Sequence, residues 1–528
     1  MPSTKSKSKT KPKGSSNTPN SSRTKGQTTA QSTSTRVLVC RDPLVVSLFE
    51  PALSSHCSYC LFEFKLDKLK RCSGCQHLYY CSRECQKTAW NTVHRWECEH
   101  MKHIESECFG EILGQRQDTS YADQIMMLRL YLMHRHGTLQ SKRGVVTGRT
   151  FDDHILSHVD EILASEHGLM MLYQIQKAKS VFCHAYTPLD DSAKSSEDKL
   201  LKRLYGAIQI NATTIWQYDR TGSLVAVGQT LSLDISAYDH SCIPNAAYVN
   251  QGRVTYLVCF DTNVNVHDIQ SVKISYIDVS YPQPIRQAAL KERYYFECDC
   301  TKCQNPANDT MNLLRCKCCA DGVVQIALLP VENESYQCQA CSKPISTEDL
   351  GKCRDIMHLI GRAINFSRID RLPVPQTEFY SKNAHLAISH DDERRAMAQA
   401  TALKALAAGS LPPTNTFVHA LYQRIILLQQ TITGPETPSM DQLISFGSDH
   451  LKILESCSEG KVLTEEELFF AFRTYQALIS GDKSVSELRP ALASIQRRVK
   501  ALYTDLGRPV PEHFQKPIQL YQRFCKKV

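Results

Sequence analysis

The sequence predicts an α+β chain built from several domains. Three observations carry that expectation: cysteine-dense blocks at 57–98 and 298–341, short β-branched runs between 206 and 280, and helical periodicity from Ser120 to about Ala178 and again beyond Gly351. With 528 residues, 42% hydrophobic and 22% charged, the chain has material for roughly two to four globular units and at least one sizeable core. A small disulfide scaffold and a wholly disordered protein are both excluded.

The charge is unevenly placed. Residues 1–36 hold Lys5, Lys7, Lys9, Lys11, Lys13, Arg23, Lys25 and Arg36 and no acid, which accounts for the whole net charge of +8. The remainder balances 54 bases against 54 acids. A solvated, disordered Ser/Thr/Lys tail is expected there, with nucleic-acid contact only as non-specific, salt-sensitive binding through it. The first 35 residues lack the apolar centre of a secretory signal, and no apolar run approaches the ~18 residues of a membrane span. An intracellular, monomeric protein of nucleus or cytoplasm, off the membrane, is therefore expected. In that reducing setting 23 cysteines point to metal rather than disulfides.

Individual elements follow from spacing. Val37-Leu38-Val39 and Leu44-Val45-Val46 read as short strands around Asp42-Pro43. Ile125, Leu128 and Leu132 step by three and four residues, and Ile155, Val159 and Ile162 by four and three, as on a helix face. Leu224–Val227 and Val254–Val258 read as strands. Ser389 to Gly409 reads as an Ala-rich helix closed by glycine, and Thr464 with Glu467 as a capping box. Leu488, Leu492, Ile495, Val499 and Leu502 share one helix face. The C-terminal helices are expected to stack as antiparallel pairs that pack their own core, without a clean 34-residue repeat signature.

The first cysteine block runs Cys57-x2-Cys60, Cys72-x2-Cys75, Cys81-x3-Cys85 and His94-x3-Cys98. Eight ligands make two tetrahedral sites, and thiolate with imidazole in closed sites selects zinc. The spacing resembles the MYND zinc finger. That resemblance implies a cross-brace, with Cys57, Cys60, Cys81 and Cys85 on one ion and Cys72, Cys75, His94 and Cys98 on the other. It also implies a protein-interaction surface, often for proline-rich peptides.

Downstream, Asp239-His240-Ser241-Cys242-Ile243-Pro244-Asn245 resembles the NHSCxPN motif of SET-domain methyltransferases. Ile274-Ser275-Tyr276-Ile277-Asp278, followed by Tyr281-Pro282, resembles their catalytic-tyrosine segment, and Tyr294 to Cys303 their post-SET end. A MYND block ahead of this series and helices behind it make the chain similar to the SET and MYND-domain (SMYD) family of protein-lysine methyltransferases. The resemblance covers about residues 37–528. It implies a β-rich SET fold with a pseudoknot, an inserted MYND finger, a helical insertion, a post-SET zinc site and a TPR-like helical C-terminal domain. The corresponding boundaries are a tail at 1–36, N-terminal SET strands at 37–56, MYND at 57–98, insertion at 99–205, SET core at 206–297, post-SET at 298–312, a zinc ribbon at 313–345 and helices at 346–528.

The same resemblance assigns roles. The expected activity is methyl transfer from S-adenosylmethionine to a lysine of a histone or other protein substrate. Tyr276 would be the catalytic tyrosine, Tyr294 and Phe296 would line the lysine channel and cofactor pocket, and His240 would hold adenine mainly through its backbone. Ile210-Asn211-Ala212-Thr213-Thr214-Ile215 resembles the cofactor segment CNGFTI, giving Asn211 as a ligand of the methionine end. Phe151 to Val159 resembles the insertion helix over the adenosine, with His158 as the contact. Cys298, Cys300 and Cys303 supply three thiolates, and by the resemblance Cys242 is the fourth.

Cys316-x2-Cys319 and Cys338-x2-Cys341 have zinc-ribbon spacing, with Cys318 as a spare ligand in register. Zinc is thus expected at three sites, and at four with the ribbon loaded. Bound cysteines are thiolates, so four loaded sites take the body from neutral to −7 and the whole chain from +8 to +1.

Three departures stand against this pattern. No Gly-rich GxG strand precedes Arg36, the motif asparagine is Asp239, and Gln270-Ser271 and Thr213 replace the usual Gly-Glu and channel phenylalanine. Asp239 keeps the capacity to accept from the cofactor ammonium. These departures set a second expectation beside the enzyme: a catalytically impaired SET/MYND scaffold that works as a zinc-stabilised interaction module.

Overall fold

The computed structural model describes residues 36–103, 119–182, 191–219, 222–261, 264–305, 312–330, 333–366, 369–390, 392–428, 464–480 and 485–525. Of the tail expected at 1–36, residues 1–35, and with them the place where a Gly-rich strand would precede Arg36, lie outside them, while Arg36 itself is described and donates to the Cys259 and Phe260 carbonyls.

Strands β1 (Val37–Cys40) and β2 (Val45–Leu48) form as expected but enter different sheets. Pro43 between them has no N–H to continue a ladder. β1 pairs antiparallel with β9 (Val254–Cys259), Val37 opposite Val258, and β9 pairs with β8 (Ala246–Gln251). β2 pairs antiparallel with β6 (Leu224–Leu231), Val45 opposite Leu231, and β6 with β5 (Thr213–Tyr218). β7 (Asp239–His240) and β10 (Lys273–Ile274) form a short parallel pair. β3 (Lys70–Arg71) pairs with β4 (Tyr79–Tyr80) inside the first cysteine block, and β11 (Leu313–Arg315) with β12 (Val323–Gln325) in the second.

Helix α1 (Arg83–Ala89) lies in the first cysteine block. The region after it is helical: α2 (Thr119–Arg135), α3 (Phe151–His154), α4 (Val159–Ala164), α5 (Gly168–Phe182) and α6 (Asp191–Asn211). α2 is buried nearly all round, Ile125, Met126, Leu128, Leu130, Tyr131 and Leu132 together with the polar Asp123, Gln124 and Arg129, and it packs against both β2 and α6. Two expectations are corrected. Phe151 to Val159 is not one helix: the chain is extended at Ile155 and left-handed at His158 (φ 44°), which begins α4. The β-rich region opens at Thr213 rather than 206, since α6 runs through Asn211.

α7 (Gln283–Tyr294) and the one-turn α8 (Thr301–Gln304) flank the Cys298–Cys303 segment. Beyond the second cysteine block lie α9 (Thr347–Ala363), α10 (Glu378–Asn383), α11 (Glu393–Ala407), α12 (Thr416–Leu428), α13 (Glu465–Ser480), α14 (Val485–Leu502) and α15 (Glu512–Cys525). α11 starts at Glu393, capped by Asp392, so the helix expected from Ser389 is shorter. Thr464 accepts from the Glu467 N–H, while the Glu467 carboxylate pairs instead with Arg498.

The expectation that the C-terminal helices pack only their own core is also corrected. α9–α12 share a core with the β11–β12 hairpin, through Leu314, Val324, Ile356, Ile360 and Phe417. α13–α15 bury Phe470, Phe472, Ile495 and Phe514 against Val249, Tyr256 and Val258 of the β1–β9–β8 sheet. The face Leu488, Leu492, Ile495, Val499 and Leu502 is buried as its spacing requires.

Candidate functional site

Sixteen expected ligands converge in four groups. Within each of the sets Cys57/Cys60/Cys81/Cys85, Cys72/Cys75/His94/Cys98, Cys242/Cys298/Cys300/Cys303 and Cys316/Cys319/Cys338/Cys341, the donor atoms lie within 4.8 Å of one another. Tetrahedral zinc with ordinary zinc–sulfur bonds needs sulfurs roughly 3.8 Å apart. Cys60–Cys81 at 3.8 Å, Cys72–Cys98 at 3.8 Å, Cys242–Cys303 at 3.5 Å and Cys316–Cys341 at 3.7 Å fit that requirement. These are cysteine/histidine clusters of the zinc-binding kind.

Local structure explains the convergence. Ser82 caps α1 by accepting from the Cys85 N–H, which sets Cys81 and Cys85 one turn apart. His94 points Nε2 at Cys72 Sγ, 3.3 Å away, while Nδ1 meets Glu97 Oε1 at 3.0 Å. Glu97 is fully buried and is gripped by Arg129 of α2 at 2.7 and 3.0 Å. Burial works to raise the Glu97 pKa, but Arg129 and His94 outweigh it and bring it to about 2. In the third group, Gln287 of α7 brackets Cys298 with two backbone hydrogen bonds, and Arg286 approaches Cys303 Sγ at 3.7 Å. Cys318 is not a spare ligand: it is exposed, stands outside the fourth group, and only its backbone N–H reaches Cys316 Sγ, at 3.2 Å.

Beside the third group stands an aromatic cluster. Tyr276 lies 4.9 Å from Tyr294, 5.4 Å from His240 and 6.4 Å from Phe296, ring centre to ring centre. The Tyr276 hydroxyl donates to the Tyr238 carbonyl at 2.7 Å, and its backbone N–H donates to His240 Nδ1 at 3.1 Å. Because Nδ1 accepts, Nε2 carries the proton and faces Cys242 Sγ at 3.3 Å. Burial, helped by the Arg286 charge, lowers the His240 pKa to about 4, so the ring is neutral near pH 7. Burial first, then the Asp239 and Tyr294 charges, push the Tyr276 hydroxyl above its ordinary range, so it stays a phenol.

The remaining expected residues, His158, Asn211 and Asp239, make contacts outside the Tyr276 ring cluster. His158 faces Tyr295, 5.4 Å away, and pairs with Glu161 at 3.2 Å. Asn211 donates to the Leu156 carbonyl at 2.9 Å, so its amide holds the 155–158 segment in this structure. Gly206 lets that segment lie against α6, because a Cβ there would meet the Ser157 carbonyl at 2.1 Å. Asp239 sits opposite Lys273 in the β7–β10 register and pairs with it at 3.1 Å. Three groups escaped the sequence reading: Glu97, Arg129 and Arg286. All make contacts distant in sequence, although Glu97, three residues after His94, carried a local signal in its helical spacing.

The comparisons agree with this geometry. The MYND finger family matches residues 57–98. The Arabidopsis thaliana protein "Histone-lysine N-methyltransferase ASHR1" is 27% identical over 326 residues, covering 60% of this chain and 61% of that protein. The Schizosaccharomyces pombe "SET domain and MYND-type zinc finger protein 6" is 25% identical, covering 49% and 46%. The Homo sapiens "N-lysine methyltransferase SMYD2" is 26% identical, covering 48% and 52%. The chain thus spans between 46% and 61% of the length of these three relatives. With a MYND finger ahead of an aromatic site beside four clustered cysteines, and relatives named for SET and MYND domains and for lysine methyl transfer, the chain is similar to SET and MYND-domain proteins.

Proposed function

We propose that the chain is an S-adenosylmethionine-dependent protein-lysine N-methyltransferase holding four zinc ions. In this reading residues 37–56 and 206–297 form the SET core, 298–312 closes it, and the MYND finger at 57–98 offers a surface for proline-rich segments of partners. The observation that carries it is the joint placement of Tyr276, Tyr294, Phe296 and His240 beside the Cys242 cluster.

The residues present suit such a cofactor. The aromatic rings offer a cation-tolerant lining, and Asp239 and Arg149 offer charges of both signs beside it. When bound, S-adenosylmethionine supplies an electrophilic methyl group. The protein must then align a lysine amine with it and admit that amine neutral. Tyr294 and Phe296, both half-buried, form an apolar channel in which desolvation favours the neutral amine. Tyr276 spends its proton on the Tyr238 carbonyl, which leaves its oxygen to accept from the amine N–H and fix its direction. His240 acts by position, joining the Tyr276 backbone to Cys242, so the zinc cluster stiffens the aromatic wall without touching substrate.

The test is methyl transfer from labelled S-adenosylmethionine to a histone and cell-extract panel, with calorimetric titration of the cofactor. Transfer by the wild-type chain that is lost in Tyr276→Phe is expected. Failure to bind cofactor at millimolar concentration would remove the enzyme and leave the interaction scaffold.

A further inference from the structure

We propose that the outer side of α5 and α6 is a docking surface for an acidic segment of a partner protein, one that carries apolar side chains at one end and carboxylates at the other. The surface includes none of the zinc ligands and none of the Tyr276 ring cluster, so it stands apart from methyl transfer.

α5 has a second apolar patch besides the one that packs. Met171, Ile175, Ala178 and Phe182 step by four, three and four residues and are buried in the core. Leu169 and Leu172 lie on the other side, 82% and 47% exposed, with Tyr173 exposed beside them. Apolar side chains gathered within one turn of solvent-facing helix mark a contact surface. The stripe then changes character. Leu169, Leu172, Gln176 and Lys179 step by three, four and three residues, so Lys179 shares a side of the helix with the leucines, about 15 Å beyond Leu169.

Lys179 stands at an open cavity of about 340 Å³, lined also by Lys194, Ser195, Asp198, Lys199 and Lys202 of α6. Leu201, Leu204, Tyr205 and Ile208 turn α6 inward on its other side, which leaves the lysines facing solvent. Four ammonium groups line this cavity against one carboxylate. Asp198 is shared between Lys179 and Lys202, and it holds both where they face the opening. Glu197, next to it, is spent elsewhere, on Tyr131 and Arg135 of α2. The cavity therefore keeps an excess of three cations, and cations fixed around a concavity focus their field on an incoming anion.

The two ends together select the occupant. A nucleic-acid backbone would answer the lysines but leave the leucines in water. A helix that lies on a membrane carries its lysines along the flanks of the apolar face, whereas here the two are separated end to end and the basic end is concave. A peptide can meet both, with apolar side chains against Leu169 and Leu172 and carboxylates in the cavity.

The experiment is fluorescence anisotropy of the zinc-loaded full chain with labelled peptides of about twelve residues, enough to span the surface as a helix. They carry leucines in one half and glutamates in the other, in both orders and with the remaining positions varied; a control set has lysine for glutamate. Wild type is expected to bind the acidic set, more weakly as salt rises, and not the control set. Lys194→Glu with Lys199→Glu should weaken binding by about tenfold or more, and Leu169→Ala with Leu172→Ala by about tenfold. All four side chains are exposed, so both variants should melt like wild type, and Lys199→Ala alone decides the matter if the charge-reversed chain does not fold. No binding of the acidic set by wild type, or binding that both variants keep in full, overturns the proposal. Tighter binding of phosphatidylserine vesicles or of a DNA duplex, lost in the lysine variant, overturns it too, as does self-association lost with the leucines, because each gives the surface a different occupant.

Discussion

Arg129, on the helix that follows the first cysteine block, holds both carboxylate oxygens of Glu97, at 2.7 and 3.0 Å, and Glu97 in turn meets the ring of His94. The same guanidinium donates to the Val46 carbonyl on β2. A candidate zinc ligand is thereby joined, through two buried charges, to a strand of the neighbouring sheet. Removing one partner of such a pair strands the other. Arg129→Met is expected to destabilise the protein by about 3–5 kcal/mol. Glu97→Gln should weaken zinc at the Cys72 set by roughly 10–100-fold, as loss of a ligand's carboxylate partner does. Chelator competition that finds two equally tight ions in the Glu97→Gln finger would sink this account.

Zinc stoichiometry separates the ribbon from coincidence. The four sulfurs at 316, 319, 338 and 341 are grouped as closely as those of the MYND sets, so four ions per chain are expected by elemental mass spectrometry. Cys341→Ser should lower the count to three. Cys318→Ser should leave it at four, because that side chain stands outside the cluster.

The Tyr276 hydroxyl is a sharper target than its ring. Phenylalanine keeps the 4.9 Å contact with Tyr294 but loses the hydrogen bond to Tyr238 that fixes the hydroxyl. Methyl transfer by Tyr276→Phe is expected to fall by about a hundredfold, the scale of losing alignment at the reacting centre. Cofactor affinity should change little. A variant that loses cofactor binding in proportion to rate would show that Tyr276 serves the pocket rather than the amine.

What could be read in advance follows the range of each interaction. Cys-x2-Cys turns and one-turn pairs are local, so spacing announced the twelve ligands of the first two sets and the ribbon, whereas Cys242, 56 residues before Cys298, was joined to its set only through the resemblance. Spacing misled where two elements share one period. Ile155, Val159 and Ile162 keep helical steps, yet the left-handed His158 divides them between an extended segment and α4. Ile208 and Ile210 look strand-like but end α6, where Ile208 is buried on the helical face. The contact of the buried Asp234 carboxylate with the backbone N–H groups of Val145 and Thr147 was illegible for a different reason. Its two sides lie 87 to 89 residues apart, and no local pattern records a contact of that span.

Asp123 supplies a test that depends on no ligand. Its carboxylate is buried between Gln229 and Gln209, which donate to it at 2.6 and 2.8 Å, with Tyr205 and Arg293 as the ionisable groups in range. Burial raises its pKa to about 6, because two amides and a distant guanidinium only partly offset desolvation. An unfolded aspartate titrates near ~3.9, so between these values the native state binds more protons than the unfolded one, and stability falls as pH rises through that window. The penalty is complete above about pH 6 and amounts to about 2–3 kcal/mol. Asp123→Asn removes the charge while either glutamine can rotate its amide to keep both hydrogen bonds. The variant should melt higher than wild type at pH 7.5, with the difference shrinking steadily toward pH 4.5. Comparing the two proteins at each pH cancels the titration of the cysteine sites they share. A melting difference that stays constant across that range would mean that Asp123 is already neutral, or already compensated, in the folded protein.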